Sequence, residues 1–599
     1  MSVKDKALLI AGSETLPQPC PHQVRKCPRR SLRRWLWGFL AVMFACHTLP
    51  RMVYYNASHD CVQPDTIVPK RRQDITDRNY EGLFKKDAEW RKEASERLAQ
   101  AVRVKTETFD FLRDVPPPQD GEDLPERKGL EEFRQWLEKA YPQVHQKLSR
   151  EVVNRYALLY TWKGTDESAK PLVLCSHMDT VPVPESSLDQ WTHPPFSGYN
   201  DGKYIWGRGS VDTKNTLVGI VEAVETLLGA GFEPQRTVIL AFGFDEEISG
   251  YQGAQYLAKT LLDRGLKDGV ELLVDEGTGI GEDQGATFAR IGVAEKGYTD
   301  VTISVITPGG HSSIPPTHTG IGILSHLITR LEAHPHEAVL SDDNPFLAYL
   351  RCEAKFAPDM SQWLRTAIRK INIFRPALVR YLSKDPHTRY MLATSQAVDM
   401  IQGGVKLNAL PELATAEVNH RIAAHTNVSQ LEGHLRHLLG SATEKLGLEF
   451  IYTDHLGKNW TRNTACEEKW TGTVHVTTYK GALEPAPISP FENSKAWSLL
   501  GGTIRRVAGD NWDLGNKEKG LTANSTSGDQ NPVIVSPVLM PANTDTRHYW
   551  DLTRNIYRFN PVRGEKAFGV HTVNEHIAID AFVESVAFYH ELIRNFDEL

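Results

Sequence analysis

Acidic and imidazole side chains follow several apolar segments of the sequence. Residues 238–242, in TVILAFGFDEEISG, are typical of a strand buried on both faces, and Glu246 and Glu247 follow it. The crevice beyond the carboxyl ends of strands in an open α/β sheet is where ligands bind. Two glutamates there could divide the work of a metal-dependent hydrolase, one binding metal and the other transferring protons. Alone, the pair is more typical of a solvated loop or the first turn of a helix.

Four further segments carry groups of the same chemistry. They are PLVLCSHMDTVPV with His177 and Asp179, WGRGSVDTKNT with Asp212, LLVDEG with Asp275 and Glu276, and FGVHTVNEH with His571. Each has a structural alternative, such as a strand-end histidine or a helix-capping aspartate. Together they favour zinc, which binds His nitrogen and carboxylate oxygen. Five available ligands favour two ions, about 3.5–4 Å apart, over one.

The order of predicted elements is typical of an α/β fold with a mainly parallel central sheet. Strands at 156–162, 171–176, 238–242 and 271–274 alternate with helices at 213–228 and 252–264. From residue 297 the predicted order becomes β, α, β, β, which indicates an inserted α+β domain over 297–435. Residues 340–395 form a further insertion within it. The predicted catalytic domain therefore has two parts, 81–296 and 436–599, and ends in a helix at 575–595.

The N-terminal residues predict a membrane anchor. A basic cluster at 25–34 precedes an uncharged run at 35–50, and neighbouring residues could lengthen that run toward the roughly 30 Å of a bilayer core. We expect a cytosolic tail at 1–34, a transmembrane signal anchor at 35–55, a stalk at 56–80 and a lumenal body. A cleaved signal peptide is the alternative. Four sequons are compatible with a glycosylated lumenal body: Asn56, Asn427, Asn459 and Asn524.

The composition limits the classes of protein to which this chain could belong. The chain has 599 residues, 40% hydrophobic and 24% charged, with a net charge of −7 and no sustained basic stripe beyond residue 34. These values describe a globular protein and give no indication of nucleic-acid binding. Seven cysteines are too few and too scattered for a disulfide scaffold. A bridge could join two of Cys61, Cys175, Cys352 and Cys466, but the sequence does not say which.

The segments SHMDTVPV, GRGSVDTKN, FDEEISG, VDEG, GGHSS and GGVKLNALPELA occur in this order. Together they resemble the co-catalytic zinc peptidases that include aminoacylase, dipeptidases and carboxypeptidase S. The resemblance implies two Zn²⁺ per subunit and a ferredoxin-like inserted lid, through which a homodimer could form. It makes Asp212 the bridging ligand, across a cis bond to Thr213. His177 and Asp275 would complete one zinc site, with Glu276 as a substitute for Asp275, and Glu247 and His571 would complete the other.

The same resemblance assigns the remaining roles. Glu246 would be the general base and Asp179 the partner that orients His177. His311, Asn408 and Arg421 would bind substrate, His311 often across a dimer, and the Thr544–Asp545 loop would line the pocket.

The resemblance thus implies a carboxypeptidase, located in the vacuole, that releases the C-terminal residue of a small peptide. An N-acyl-amino-acid amidohydrolase is the alternative. A non-catalytic membrane receptor would need a broken ligand set, and the proposed set is complete.

Overall fold

The computed structural model describes residues 61–70, 82–117, 124–462, 472–509 and 533–599. All of them belong to one compact unit, His59–Leu599. The predicted tail, the anchor at 35–55, Asn56, Asn524 and most of the stalk lie outside the described residues. Among the residues that are described, no helix has the length and apolar character needed to cross a membrane.

Twenty strands are present in the described residues. In chain order they are β1 Ser149–Val153, β2 Ala157–Trp162, β3 Leu172–His177, β4 Tyr199–Asn200, β5 Tyr204–Trp206, β6 Val238–Gly243, β7 Leu272–Asp283, β8 Ala286–Glu295, β9 Gly297–Ile306, β10 Gly310–His311, β11 Ser395–Gly403, β12 Ala409–Leu410, β13 Leu413–Ile422, β14 Glu449–Thr453, β15 Asn459–Arg462, β16 Thr473–Thr478, β17 Ile534–Met540, β18 Ile556–Arg563, β19 Ala567–Phe568 and β20 His576–Ala578.

The α-helices of the described residues are Ala88–Arg103, Lys128–Ala140, Pro142–Lys147, Lys214–Gly229, Ala254–Asp263, Gly320–Glu332, Pro345–Phe356, Gln362–Arg369, Ile371–Leu382, Pro386–Arg389, Val428–Lys445, Lys495–Ala508 and Ile579–Asp597. The predicted final helix is confirmed, although it begins at Ile579, because residues up to Ala578 form β20.

The first sheet has eight strands in the order β1-β2-β6-β3-β7-β18-β8-β17. Its centre, β6-β3-β7-β18, is parallel, and helices provide the crossovers. Antiparallel pairs lie on both sides of this centre, so the sheet is mixed rather than mainly parallel. A tight turn with positive φ at Asn154 (45°) and Arg155 (73°) joins β1 to β2 as a hairpin, which explains one of these pairs.

The second sheet has six strands in the order β11-β13-β9-β16-β14-β15. Helices Gly320–Glu332 and Val428–Lys445 pack on it and form a separate apolar core. This sheet continues to Thr478, beyond the predicted boundary at residue 435. The reason is that β16 pairs with both β9 and β14, and its alternating buried positions belong to this core.

The predicted insertion at 340–395 is mostly helical. Its helices form a third apolar core with strands of the first sheet, in which Leu347 and Leu350 pack with Phe288 and Val538. The structure therefore places this segment against the first sheet and not within the second. A disulfide joins Cys61 to Cys352 in its first helix, which identifies the bridge that the sequence left open.

Candidate metal centre

The predicted ligands converge at one end of the first sheet. His177 is the last residue of β3, and Glu246 and Glu247 begin a short 3-10 helix just beyond β6. Asp212 follows the glycine-rich turn after β5, and its bond to Thr213 is cis, as the resemblance implied. His571 lies in the loop before β20. Four separate segments thus bring their side chains to one place.

The first group of potential ligands is His177, Asp212 and Glu276, whose ligand atoms lie within 4.8 Å of one another. His177 Nε2 is 3.4 Å from Asp212 Oδ1 and 3.3 Å from Glu276 Oε1. The His177 side chain is 1% exposed, so an ion here would be shielded from bulk water.

The second group is Asp212, Glu247 and His571. His571 Nε2 is 3.0 Å from Asp212 Oδ2 and 3.1 Å from Glu247 Oε2. Asp212 therefore offers one carboxylate oxygen to each group, which is the arrangement expected of a bridging ligand. The side chain of His571 is 52% exposed, so this group lies toward solvent.

The imidazole nitrogens and carboxylate oxygens of the two groups are suited to binding metal ions. His177 Nε2 and Glu247 Oε1 are buried and make no hydrogen bond with the described residues. Burial raises the pKa of Glu247 to about 7, and hydrogen bonds to Asp212 and Glu247 raise the pKa of His571 to about 10. Buried carboxylates without enough partners are costly, and a divalent cation would satisfy them.

Asp179 connects the first group to the segment that carries the glutamates. Its carboxylate accepts the backbone N–H groups of Glu246 and Glu247, each at 3.2 Å. Its Oδ1 lies 3.3 Å from His177 Nδ1, whose distance to the Asp179 backbone oxygen is 3.0 Å. A partner at Nδ1 fixes the ring and leaves Nε2 free as the ligand atom.

Glu246 lies beside the first group of potential ligands, but it belongs to neither of the two groups. Its Oε2 is 3.9 Å from His177 Nε2. Burial, followed by the nearby Glu276 carboxylate, raises the pKa of Glu246 well above its usual range. A carboxyl group that takes up a proton readily and lies next to a metal site is suited to proton transfer.

The adjacent acids Asp275 and Glu276 occupy different positions relative to the first group. The structure brings Glu276, the predicted substitute, into the first group instead of Asp275. Asp275 is buried, and its Oδ1 accepts the backbone N–H of Glu276 at 2.9 Å. Burial and the Glu276 carboxylate raise the pKa of Asp275 to about 7.

Sequence reasoning missed Glu575, four residues after His571. Its fully buried carboxylate holds the turn before Asp212: Oε1 accepts the backbone N–H groups of Gly209 (3.0 Å), Val211 (2.8 Å) and Asp212 (3.1 Å). Its Oε2 accepts Arg208 Nη1 at 2.6 Å. The segment NEH, which begins three residues after His571, together with the arginine between two glycines in WGRGS, is the signal that could have identified this pair.

The predicted substrate residues occupy two different places. His311 and Asn408 are exposed in and next to a two-stranded ribbon, where His311 pairs with Ala409. Arg421 lies near the C-terminal end of β13, whereas the ribbon precedes the N-terminal end of that strand. Its Nη1 donates to Asn543 Oδ1 at 3.0 Å, and its guanidinium lies 4.8 Å from the centre of the Tyr298 ring. Within one chain, Arg421 is thus not brought to His311 and Asn408.

The Thr544–Asp545 loop is buried next to the segment that carries the glutamates. Thr544 Oγ1 donates to Glu295 Oε1 at 2.7 Å. Asp545 packs so closely on Gly250 that a Cβ there would lie 2.0 Å from its Oδ1. Only glycine fits at this position, which accounts for the last residue of FDEEISG.

Two of the four sequons lie in described residues. Asn427 caps helix Val428–Lys445, and its Oδ1 accepts the Gln430 N–H at 2.9 Å. Asn459 is exposed in β15. Both remain predictions for glycosylation.

Paired imidazole and carboxylate groups at the strand ends of an α/β sheet define a metal-dependent hydrolase. Residues 173–595 match peptidase family M20/M25/M40, and the chain belongs to this family of metal-dependent peptidases. The predicted family and the peptidase class are therefore confirmed.

Named relatives agree with this class. The chain is 38% identical to carboxypeptidase S of Saccharomyces cerevisiae over 520 residues, covering 86% of this chain and 85% of that one. It is 33% identical to the N-fatty-acyl-amino acid synthase/hydrolase of Mus musculus over 477 residues, covering 78% and 83%. The crystal structure of an M20 family metallo-carboxypeptidase from Sulfolobus solfataricus has the same fold, with a TM-score of 0.53, 16% identity and coverage of 84% and 99%.

Proposed function

We propose that this protein is a dizinc carboxypeptidase that hydrolyses the peptide bond before a C-terminal amino acid, as in Gly-X substrates. The observation that carries the proposal is the position of Asp212, whose two carboxylate oxygens face His177 and His571 at 3.4 and 3.0 Å. One ion would be held by His177, Asp212 and Glu276, and the other by Asp212, Glu247 and His571. Imidazole nitrogen and carboxylate oxygen are ordinary zinc ligands.

The chain's own residues would carry the proton transfers. Bound zinc ions supply Lewis acidity toward the scissile carbonyl and lower the pKa of water. Glu246 would take a proton from the attacking water and return it to the leaving amine, a role suited to its raised pKa and its place next to His177. Asp179 would hold the ring of His177 and the backbone of both glutamates during the reaction.

Arg421 is the proposed anchor for the substrate's free carboxylate. A guanidinium offers two parallel N–H groups to a carboxylate, and Arg421 is already positioned by Asn543 and Tyr298. His311 and Asn408 are proposed to reach substrate from a second subunit, through a homodimer of the inserted domain, because their ribbon is exposed.

The anchor at 35–55 and a glycosylated body in a lumen such as the vacuole remain part of the proposal. The Cys61–Cys352 bridge supports this placement, since disulfides persist in oxidising compartments and are rare in the cytosol.

A fatty-acyl-amino acid amidohydrolase is the second candidate, favoured by the 33% identity to the Mus musculus enzyme. Initial rates with a blocked Gly-Leu dipeptide and with a long-chain N-acyl amino acid, measured on the zinc-loaded protein, separate the two. We expect the dipeptide to be preferred by kcat/KM, and a clear preference for the acyl substrate would favour the second candidate. Glu246→Gln provides the control, because it should remove both activities while the zinc content stays unchanged.

A further inference from the structure

Three histidines from three different elements meet on the second sheet, away from the metal centre. His336 lies in the segment after helix Gly320–Glu332, His420 in β13, and His434 in helix Val428–Lys445. The ring centre of His336 is 6.0 Å from that of His420 and 4.8 Å from that of His434. We call these three residues the lid histidine cluster.

His420 is the most unusual member of the cluster. It occupies a fully buried position in β13 between the apolar residues Val418 and Ile422. Both of its ring nitrogens are shielded from solvent and make no hydrogen bond with the described residues, and His336 Nε2 is in the same situation. Unsatisfied buried polar groups are costly, so apolar side chains would stabilise this core better. A ligand bound by these ring nitrogens would satisfy them and remove this cost.

We propose that the lid histidine cluster binds one divalent transition-metal ion of the kind that imidazole prefers, for which Zn²⁺ is the probe. Imidazole suits Zn, Cu and Ni, and three histidines with one open position form an established zinc geometry. Two imidazoles on one tetrahedral ion at 2.0–2.1 Å per bond have ring centres about 5 Å apart. The observed separations of 4.8 and 6.0 Å lie on either side of this value.

The cluster has the protonation state that metal binding requires. Metal binds neutral imidazole. Burial, followed by the neighbouring His336, lowers the pKa of His420 to about 3, and burial with His434 and Lys296 lowers that of His336 to about 4.

Access is provided by His434, which is exposed on the helix surface. The three residues do not form one of the groups whose ligand atoms already lie within 4.8 Å of one another. Binding therefore requires the exposed His434 ring to turn inward, while the buried His420 stays in place. The bound ion would link helix Val428–Lys445 to β13 and to the segment after helix Gly320–Glu332.

The test measures zinc binding in a protein whose catalytic centre has lost the carboxylate shared by its two groups. Asp212→Ala removes the carboxylate shared by both catalytic groups, and equilibrium dialysis then counts the remaining Zn²⁺ per chain. We expect one ion, and we expect His434→Ala in this background to weaken its binding by more than about tenfold, the cost of losing even an outer partner of a metal ligand. His387→Ala, which removes an exposed histidine elsewhere, should leave the ion bound.

Two results would overturn the proposal: no zinc bound by Asp212→Ala, or an ion that His434→Ala leaves at full affinity. If Asp212→Ala does not fold, the comparison is made between the wild-type chain and His434→Ala, which should differ by one ion per chain; equal contents reject the site. Cu²⁺ loaded into the wild-type chain adds a spectroscopic check, because electron paramagnetic resonance should detect several nitrogen ligands that His434→Ala reduces. Failure of this proposal leaves the catalytic centre unaffected, since no residue is shared.

Discussion

Asp212 is the residue on which both metal groups depend. Burial alone would raise the pKa of its carboxyl, but the neighbouring imidazoles of His177 and His571 lower it below the ordinary value. The carboxylate therefore stays ionised between two imidazoles. Its backbone is also held, because the Asp212 N–H donates to Glu575. Since Asp212 belongs to both groups, the buried Arg208–Glu575 pair that supports this turn also supports both groups.

The adjacent acids Asp275 and Glu276 allow a direct test of the ligand assignment. Glu276→Gln should reduce the zinc content and lower kcat/KM by at least about 100-fold, because an amide oxygen is a much weaker ligand than a carboxylate. Asp275→Asn should keep both ions, since its Oδ1 accepts only the Glu276 N–H. Metal analysis and steady-state kinetics on the two isosteric variants decide which of the two acids binds metal. The opposite pattern would restore Asp275 as the ligand.

The sequence predicted a carboxylate ligand at this strand end, Asp275 with Glu276 as a substitute, and the structure places Glu276 in the first group. The pairing of β7 with β18 runs in register to Asp275, opposite Arg558, and then skips to Thr278, opposite Phe559. Glu276 and Gly277 lie in this irregularity, and such bulges redirect side chains. Gly277 packs on the backbone of Arg558, where a Cβ would lie 2.5 Å from its carbonyl carbon. This bulge depends on a partner strand almost 300 residues away, so local pattern could not identify it.

At the scale of elements, the Glu575–Arg208 pair fixes the turn before Asp212 against the loop that carries His571. Glu575→Ala should destabilise the protein by about 3–5 kcal/mol, because it leaves the buried Arg208 guanidinium and several backbone N–H groups without an acceptor. It should also lower kcat, since Asp212 loses its support. Urea denaturation and zinc content measure the two effects. Glu575→Gln is the matched control, which should keep part of the stability because its side-chain oxygen can still accept; equal losses in both variants would contradict the proposed role.

The C-terminal helix Ile579–Asp597 contains a pH-dependent element in Glu584. This residue is 1% exposed, its Oε2 lies 3.2 Å from Arg563 Nε, and its Oε1 has no hydrogen-bond partner among the described residues. Burial raises the pKa of Glu584 to about 7, despite the opposing charges of Arg563 and Lys566. The folded state therefore holds a proton that the unfolded chain releases near pH 4.5.

It follows that Glu584 contributes stability below about pH 4.5 that is lost as the pH rises toward 7. Glu584→Gln should remove this part of the pH dependence and raise the Tm at pH 7 relative to the wild-type protein, with a smaller difference at pH 4.5. Thermal unfolding at both pH values is the measurement. If the difference in Tm between Glu584→Gln and the wild-type protein is the same at both pH values, the Glu584 carboxyl does not titrate as described.

Element types were more predictable than their assignment to sheets. The predicted strands 238–242 and 271–274 and the helix at 213–228 were found close to their positions, because each has a clear apolar pattern. The extent of the second sheet was not predicted, since β16 joins it by pairing with β9, about 170 residues earlier. Likewise, the helices of 340–395 have apolar faces, but the sequence does not indicate that these faces meet Phe288 and Val538 of the first sheet.

At the scale of the whole described unit, a single residue separates the two sheets: β8 ends at Glu295 and β9 begins at Gly297. Lys296 between them is buried, and its Nζ donates to the backbone oxygens of Tyr390 (2.9 Å) and Ala393 (2.8 Å). Glu295 lies 3.2 Å from the Arg558 guanidinium. Charged side chains thus fix the connection on both sides, and the second sheet is held to the first by specific contacts rather than by a flexible linker.

A second long-range connection is the segment 61–70. The Cys61–Cys352 bridge closes a sequence separation of 291 residues. Gln63 exchanges two hydrogen bonds with the backbone of Val535, at 2.9 and 2.8 Å, and the Ile67 N–H donates to the Gly502 oxygen at 3.2 Å. This segment therefore connects helix Pro345–Phe356, β17 and helix Lys495–Ala508, which are distant in sequence.

Breaking this bridge should lower the stability of the whole unit and leave its candidate metal centre intact. Chain-entropy arguments for so long a loop give an upper value of about 5 kcal/mol, so Cys352→Ser should lower the midpoint of urea unfolding and expose residues 61–70 to proteolysis. Zinc content should stay the same, because no ligand lies in the connected segments. Cys61→Ser should have the same effect, and the double variant should be no worse than either single one, since all three remove one bond. Additive losses would mean that the two cysteines stabilise the protein separately, and the bridge would then not be the connection described here.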